Sequence, residues 1–271
     1  MNLVNGVQRD AVSVHDRGLM YGDGVFRTFP LRDGKPVLWP RQYAKLAHDC
    51  AALKIDCPPA AEFERDLELI AATGPRHIVK IIVTRGESAR GYAMTAAAAA
   101  TRIVTSSAPA EYPAAYYDQG VRVHLCRIRL ARQPALAGIK HLNRLENVLA
   151  RAEWSDPAIA EGLLCDVNDA VIGGTMTNLF LARNAKLVTP DLSGSGVEGV
   201  MRGLVIELAT GNGIALETAV IGIDDLLAAD EIFLVNSVIG VWAVAALNGR
   251  TWQTGALTAQ FRRWISDAQN V

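Results

Sequence analysis

The sequence lacks the charge bias, the cysteine pairs and the long apolar runs that mark several large classes of protein. Lys and Arg (27) nearly cancel Asp and Glu (28), for a formal net charge of −1, and no run of like charges interrupts the balance. A polyanion-binding protein needs concentrated positive charge, so nucleic acid is excluded as a partner. There are four cysteines, Cys50, Cys57, Cys126 and Cys165, and no C-x-x-C pair. That is the pattern of free thiols in a reducing compartment rather than of a disulfide scaffold. The five histidines (His15, His48, His77, His124 and His141) offer no H-x-x-x-H or other close ligand pair, so no metal site is expected. No apolar stretch reaches the ~20 residues that cross a bilayer. The opening MNLVNGVQRD has no basic region followed by an apolar one, as a signal peptide would. The expected location is the cytoplasm, without membrane contact.

What the chain does have is apolar material. Half of its 271 residues are hydrophobic, enough to fill the core of one large domain or two smaller ones. LVNG and the GKPVLW region read as short strands. PRQYAKLAHDCAALK (40–54) opens on proline and sets Tyr43, Leu46, Ala47, Cys50 and Leu53 on one helical face. AEFERDLELIAAT reads as a second helix, and HIVKIIVTRG and TRIVTSS as strands around the loop TRGESARGY. The alanine run 96–100 reads as plain loop. SAPAEYPAAYYDQG (107–120) has two prolines and no periodicity, which predicts a linker. Beyond it, VRVHLCRIRL alternates as a half-buried strand does, a helix is expected over 141–154, and GLLCDV, AVIGG, TNLFLAR and AKLVTP read as short strands. VMRGLVIELATG and LTAQFRRWISDAQ read as helices, with IALETAVI, EIFLVNSV and VWAVAALNG as strands between them. Strands grouped with inserted helices predict an α+β fold: a small domain at 1–107, a linker at 108–120 and a larger β-rich domain at 121–271.

Two short stretches carry possible chemistry. GSGVEG (194–199) matches G-x-G-x-x-G, and Glu217 follows at the distance of a ribose-binding acid. Against a dinucleotide site stand the five residues Thr189–Ser193 between strand and first glycine, and the short remainder of the chain. Glycines ahead of a helix still expose N–H groups that suit a phosphate. The second stretch is GIKHLNRLENVLAR (138–151). Lys140 lies at the expected mouth of a helix whose Leu142, Leu145, Val148, Leu149 and Ala152 would line one face. A lysine is most often a solvated amine. In an apolar setting it can instead lose its proton and attack a carbonyl.

SVHDRGLMYGDGVFRTF (13–29), GIKHLNRLENVLAR (138–151), TMTNLFLARNAKLVTP (175–190) and GVEGVMR (196–202) together resemble the class IV aminotransferases. These are pyridoxal 5'-phosphate enzymes of fold type IV, similar in fold to D-amino-acid aminotransferase. The group includes branched-chain and D-amino-acid aminotransferases and 4-amino-4-deoxychorismate lyases. GIKHLNRLE and FRT look most like the lyase branch. The resemblance implies two domains with pyridoxal 5'-phosphate between them, carried covalently by Lys140. It implies a phosphate cup at the N–H groups of Val200 and Met201, with the Ser237 hydroxyl beside it. Lys45 falls where the family has arginine; it keeps the charge without the bidentate fork, and Arg41 is the alternative. Thr28 resembles a marker of the lyase branch, whose hydroxyl would hold substrate or shuttle a proton. Arg90 and Tyr92 match a loop (85–92) that binds substrate carboxylate and reaches the partner subunit of a homodimer. Gly173 departs from the pattern: the family has a glutamate there, facing the ring nitrogen of the cofactor. The expected reaction is conversion of 4-amino-4-deoxychorismate to 4-aminobenzoate and pyruvate, on the way to folate. An aminotransferase for D- or branched-chain amino acids is the alternative, and a nicotinamide dinucleotide-binding protein a remote one.

Overall fold

β-branched runs and alternating polarity set up two sheets, each with its own core. The computed structural model describes residues 1–94, 99–109 and 111–269. Residues 96–98 of the alanine run and Ala110 of the expected linker lie outside these. The chain forms two units, Met1–Ala110 with Ile139–Asn143, and Glu111–Gly138 with Arg144–Val271.

The first unit comprises β1 (Asn2–Val4), β2 (Val7–Gln8), α1 (Arg17–Tyr21), β3 (Gly24–Arg32), β4 (Lys35–Pro36), α2 (Trp39–Ala52), α3 (Ala60–Ala71), β5 (Arg76–Thr84) and β6 (Thr101–Ser107). Its sheet runs β2-β1-β6-β5-β3-β4, antiparallel throughout. Successive strand residues face opposite sides. Val25, Phe29 and Leu31 of β3, with Val79, Ile81 and Val83 of β5, therefore pack on Leu46 and Cys50 of α2 and on Phe63, Leu67 and Ile70 of α3. Phe26 and Thr28 lie on the other face. Ile139 belongs to this core too. The residues after it run beside β3: His141 pairs with Val25, Phe26 N–H donates to the Lys140 carbonyl (2.9 Å), and Leu142 N–H donates to the Gly24 carbonyl (2.9 Å).

That pairing corrects two expectations about the lysine segment. The helix expected over 141–154 is only α5 (Leu145–Arg151), because the backbone of 140–142 is engaged with β3 and Arg144 has φ −121°. Lys140 thus sits in an extended segment and not at a helix mouth. The segment also packs with the first unit, whereas the domain boundaries read from the sequence placed it in the second.

The second unit adds α4 (Ala114–Asp118), β7 (Val121–Leu130), β8 (Ile159–Asp166), β9 (Val171–Gly174), β10 (Asn178–Arg183), β11 (Lys186–Pro190), α6 (Val200–Gly211), β12 (Leu216–Ala219), α7 (Ile223–Leu227), β13 (Glu231–Asn236), β14 (Gly240–Leu247), β15 (Arg250–Thr251) and α8 (Ala256–Gln269). The strands form one mixed sheet, β12-β11-β10-β13-β14-β7-β8-β9, with β15 on β14. The β11–β12, β14–β7 and β7–β8 pairs are parallel. Phe180, Phe233 and Phe261 stack in series and bind α8 to the sheet. The stretch read as a linker is partly built into this core. Tyr112 and Tyr116 meet the ring of buried Trp242 edge-on, with centroids 4.9 and 5.3 Å away. Proline-rich composition signalled a connector there, but the tyrosines have apolar surface to bury. Among the described residues no helix is long and apolar enough to cross a membrane.

Candidate active site

In the first unit the pairing with β3 places Lys140 beside Phe26. Its Nζ stands 4.4 Å from the centroid of the Phe26 ring. Thr28 is two residues along β3 and so on the same face as Phe26. Lys80, directly opposite Thr28 on β5, brings its own Nζ to 5.0 Å from the same ring. One sheet face thus gathers an aromatic platform, a hydroxyl and two amines. The opposite face holds the counter-charge. Arg27 points toward α2 and pairs with Asp49, a fully buried carboxylate. Asp49 also accepts from Lys45 Nζ (2.5 Å) and from the backbone N–H of Lys140 (3.1 Å). The helix pattern of 40–54 marked Leu46 and Cys50 as core but passed over Asp49, because an acid on an apolar face reads as an exception until its partners are known.

Arg90 and Tyr92 belong to the same unit but stand out from it. Arg90 is exposed, and Tyr92 is 84% exposed. Their loop is held from below by Arg17, which donates to the Gly91 and Tyr92 carbonyls (3.0 and 3.3 Å) and to Ser88 Oγ (3.1 Å). Arg17 also pairs with Asp23, as does Arg85. Burial alone would raise the Asp23 carboxyl, but hydrogen bonds from Arg85 and Arg17 outweigh it and hold the group below the usual carboxylate range.

In the second unit the segment GVEG leads into α6. Gly199 is the N-cap, and no side chain caps the helix. The first N–H groups, those of Val200 and Met201, are therefore offered to an anion. Asn178 shapes this turn: it donates to the Val197 carbonyl (2.7 Å) and accepts from Gly199 N–H (3.1 Å). A Cβ on Gly199 would lie 2.3 Å from Asn178 Oδ1, so only glycine permits the approach. Asn178 also pairs with Val235, two residues before Ser237 in the β13–β14 turn. Gly138, two residues before Lys140 in the chain, pairs with Val197 in the same GVEG segment. Nothing local in TMTNLF marks Asn178; its two-sided bonding shows only once the turn is folded.

Gly173 has no space for the missing side chain, since a Cβ there would meet the Thr177 carbonyl oxygen at 2.9 Å. A different carboxyl lies across the hairpin. Glu161, 1% exposed, accepts from Gly162 N, Thr175 N, Thr175 Oγ1, Met176 N and Thr177 Oγ1. Burial pushes it above the usual carboxylate range in spite of these bonds. Glu217, the acid of the dinucleotide pattern, lies on β12 in an exposed ion pair with Lys186. His124, Cys126 and Glu153 bring potential metal-ligand atoms within 4.8 Å of one another, a grouping that local spacing did not reveal because Glu153 is remote in sequence. Glu153 is occupied where β7 breaks register with β8, accepting from Arg127 N (2.7 Å) and Ile128 N (2.9 Å). Burial, with the Glu153 charge, pushes the Cys126 thiol up to about 12, so it is protonated at neutral pH.

Known proteins are similar to this chain over most of its length. The 4-amino-4-deoxychorismate lyase from Pseudomonas aeruginosa has the same fold, with a TM-score of 0.95 and 46% identity over 98% of both chains. An aminodeoxychorismate lyase of Vibrio harveyi is 35% identical over 247 residues, 90% of each chain. A putative branched-chain-amino-acid aminotransferase of Methanocaldococcus jannaschii is 30% identical over 268 residues, 96% of this chain and 92% of the other. The amino-transferase class IV family model matches residues 24–247, from the start of β3 to the end of β14. That span takes in the β3 face, the lysine segment and the α6 turn together, and the chain belongs to the class IV aminotransferase family.

Proposed function

We propose that this protein is a pyridoxal 5'-phosphate-dependent lyase that converts 4-amino-4-deoxychorismate to 4-aminobenzoate and pyruvate, a step toward folate. The observation that carries the reading is the likeness to the two lyases over nearly the whole chain, in a structure that holds Lys140 by its backbone against β3. Each unit by itself carries residues that suit the cofactor: a lysine amine over an aromatic ring in the first, and a glycine-led helix start without a side-chain cap in the second. When bound, the cofactor supplies an electron sink for the carbon that loses its proton. Lys140 carries it. The N–H groups of Val200 and Met201, with the Ser237 hydroxyl, receive its phosphate, and Lys45 adds positive charge. The Lys140 amine, when free, would take the proton from the amine-bearing carbon as general base. The enolpyruvyl C–O bond then breaks, the ring becomes aromatic, and the proton ends on pyruvate, so no further reactant is consumed. Thr28 holds the substrate or relays this proton from the Phe26 face.

The protein works as a homodimer in this reading, with Arg90 and Tyr92 of loop 85–92 serving the partner's site. Supporting this are the exposed positions of Tyr92, Val14, Leu19 and Met94 around that loop. Four free cysteines suit the cytoplasm.

Borohydride reduction followed by peptide mapping should place the cofactor mass on Lys140, and Lys140→Ala should abolish formation of 4-aminobenzoate while the protein stays folded. A label on Lys80, or a Lys140→Ala protein of ordinary activity, overturns the reading. Amino transfer from D-alanine or leucine to 2-oxoglutarate, in place of lyase turnover, would move the assignment to the aminotransferase branch.

A further inference from the structure

We propose that Asp49 is the positioning residue of the active lysine, fixing the Lys140 backbone from α2 while β3 fixes it from the other side. The inference rests on the reading of Lys140 above. Both backbone groups of Lys140 are used: its carbonyl accepts from Phe26 N–H (2.9 Å), and its N–H donates to Asp49 Oδ2 (3.1 Å). Asp49 is fully buried, and its carboxylate is shared among three elements. Arg27 reaches it from β3, Lys45 (2.5 Å) and His48 Nδ1 (3.3 Å) from α2, and Lys140 from the extended segment. Arg27 is itself buried and needs the carboxylate as its counter-charge.

An apolar contact between α2 and β3 would hold the core with less desolvation. The charged arrangement does something an apolar one cannot. It supplies a directional acceptor to one N–H at one position, and so sets where along β3 the lysine side chain starts. It also ties that position to Arg27 and Lys45, whose residues flank Phe26 on β3 and line α2. A shift of an ångström at a reacting group costs on the order of a hundredfold in rate, so the anchor bears on turnover as well as on folding.

Hydrogen exchange and cofactor absorbance test this on the full-length protein. Asp49→Ala removes the acceptor, and the peptide covering Ile139–Asn143 should exchange about tenfold faster or more, with β5 peptides unchanged. Asp49→Asn keeps an acceptor oxygen and should restore the protection. It removes the negative charge, however. The protonation midpoint read from the cofactor absorbance should then fall by about half a pH unit or more, because the nearby cations Arg27 and Lys45 lose their counter-ion. In a folded Asp49→Ala protein kcat should drop about tenfold, with KM changed less than about twofold, as expected when an interaction acts on the reacting geometry, and Asp49→Asn should recover most of that loss. If Asp49→Ala does not fold, the Asp49→Asn measurements decide alone. Loss of protection or an unchanged midpoint in Asp49→Asn, or unchanged exchange or kcat in a folded Asp49→Ala, overturns the proposal. A cofactor label on Lys80 would instead sink the reading of Lys140 and with it the functional part of this one, whatever the exchange shows.

Discussion

One amide side chain, Asn178, holds both sides of the turn that leads into α6, donating to the Val197 carbonyl and accepting from Gly199 N–H. Each such bond contributes roughly 0.5–1.5 kcal/mol net. Asn178→Ala should therefore loosen the α6 start and raise the cofactor dissociation constant about tenfold, at ~1.4 kcal/mol per factor of ten, with Lys140 still labelled by borohydride. Fluorescence titration with pyridoxal 5'-phosphate checks it; an unchanged constant would show that the turn holds its shape without this side chain. Gly173 behaves in the opposite sense. Restoring the family's glutamate by Gly173→Glu is an obvious way to seek more aminotransferase activity. The structure argues against that gain, because the new Cβ meets the Thr177 carbonyl oxygen at 2.9 Å. Overpacking of this kind costs about 1–3 kcal/mol. The expected result is a lower melting temperature without new amino transfer, and a variant as stable as the parent would show that the β9–β10 turn yields freely.

At the scale of elements, charged clusters tie segments that are short or irregular. The α1 turn is five residues long and gains little from its own ladder. Asp23, just beyond it, accepts from Arg17 within α1 and from Arg85 beyond β5, while Arg85 also donates to the Leu53 and Lys54 carbonyls at the end of α2. The depressed carboxyl of Asp23 makes this cluster pH-dependent. Its folded value lies below the ordinary 3.8, so its stabilisation is present above that pH and is lost as pH falls through the lower, folded value. Asp23→Asn leaves two buried guanidinium groups short of charge and should cost about 3–5 kcal/mol at neutral pH. Urea unfolding followed from pH 7 to pH 2.5 should show a steeper acid limb for the parent than for Asp23→Asn. Parallel curves would mean that the arginines find other partners.

For the whole molecule, the short α5 has the largest consequence. Leu145, Val148 and Leu149, which the helical pattern set on one face, are 76%, 61% and 58% exposed. Three large apolar side chains on one short helix form a patch of the kind that marks an interface. In the proposed homodimer this face is covered by the second copy. Light scattering at micromolar concentration should give twice the 29.1 kDa chain mass. Leu145→Asp combined with Val148→Asp should shift that value toward one chain and reduce lyase activity in step. A parent protein that is monomeric and fully active would rule out the dimer, the role of Arg90 and Tyr92 in a partner's site included.

Much of this protein is local and was legible in the sequence. The β-branched runs of β5 and β6, the glycine-led start of α6 and the amphipathic patterns of α2 and α3 follow from periodicity and backbone freedom, which neighbouring residues set by themselves. Lys140 stood out through the resemblance of the segments around it to a known family, since residue type alone reads it as a solvated amine; the GVEG turn stood out because glycines ahead of a helix leave N–H groups exposed. Other features were decided by partners remote in sequence. His141–Asn143 have a helical pattern, yet β3 takes up the backbone of this stretch, so α5 starts late and its apolar face turns to solvent. Tyr112 and Tyr116 lie in a proline-rich stretch and acquire structure only because Trp242 offers a ring to pack on. Asp49 reads as a misplaced acid on an apolar helix face until Arg27, Lys45 and the N–H of Lys140 arrive from 22, 4 and 91 residues away. Periodicity reports which way a side chain points; what it meets there is fixed only when the sheet closes, because hydrogen bonds and ion pairs depend on distance in space and not along the chain.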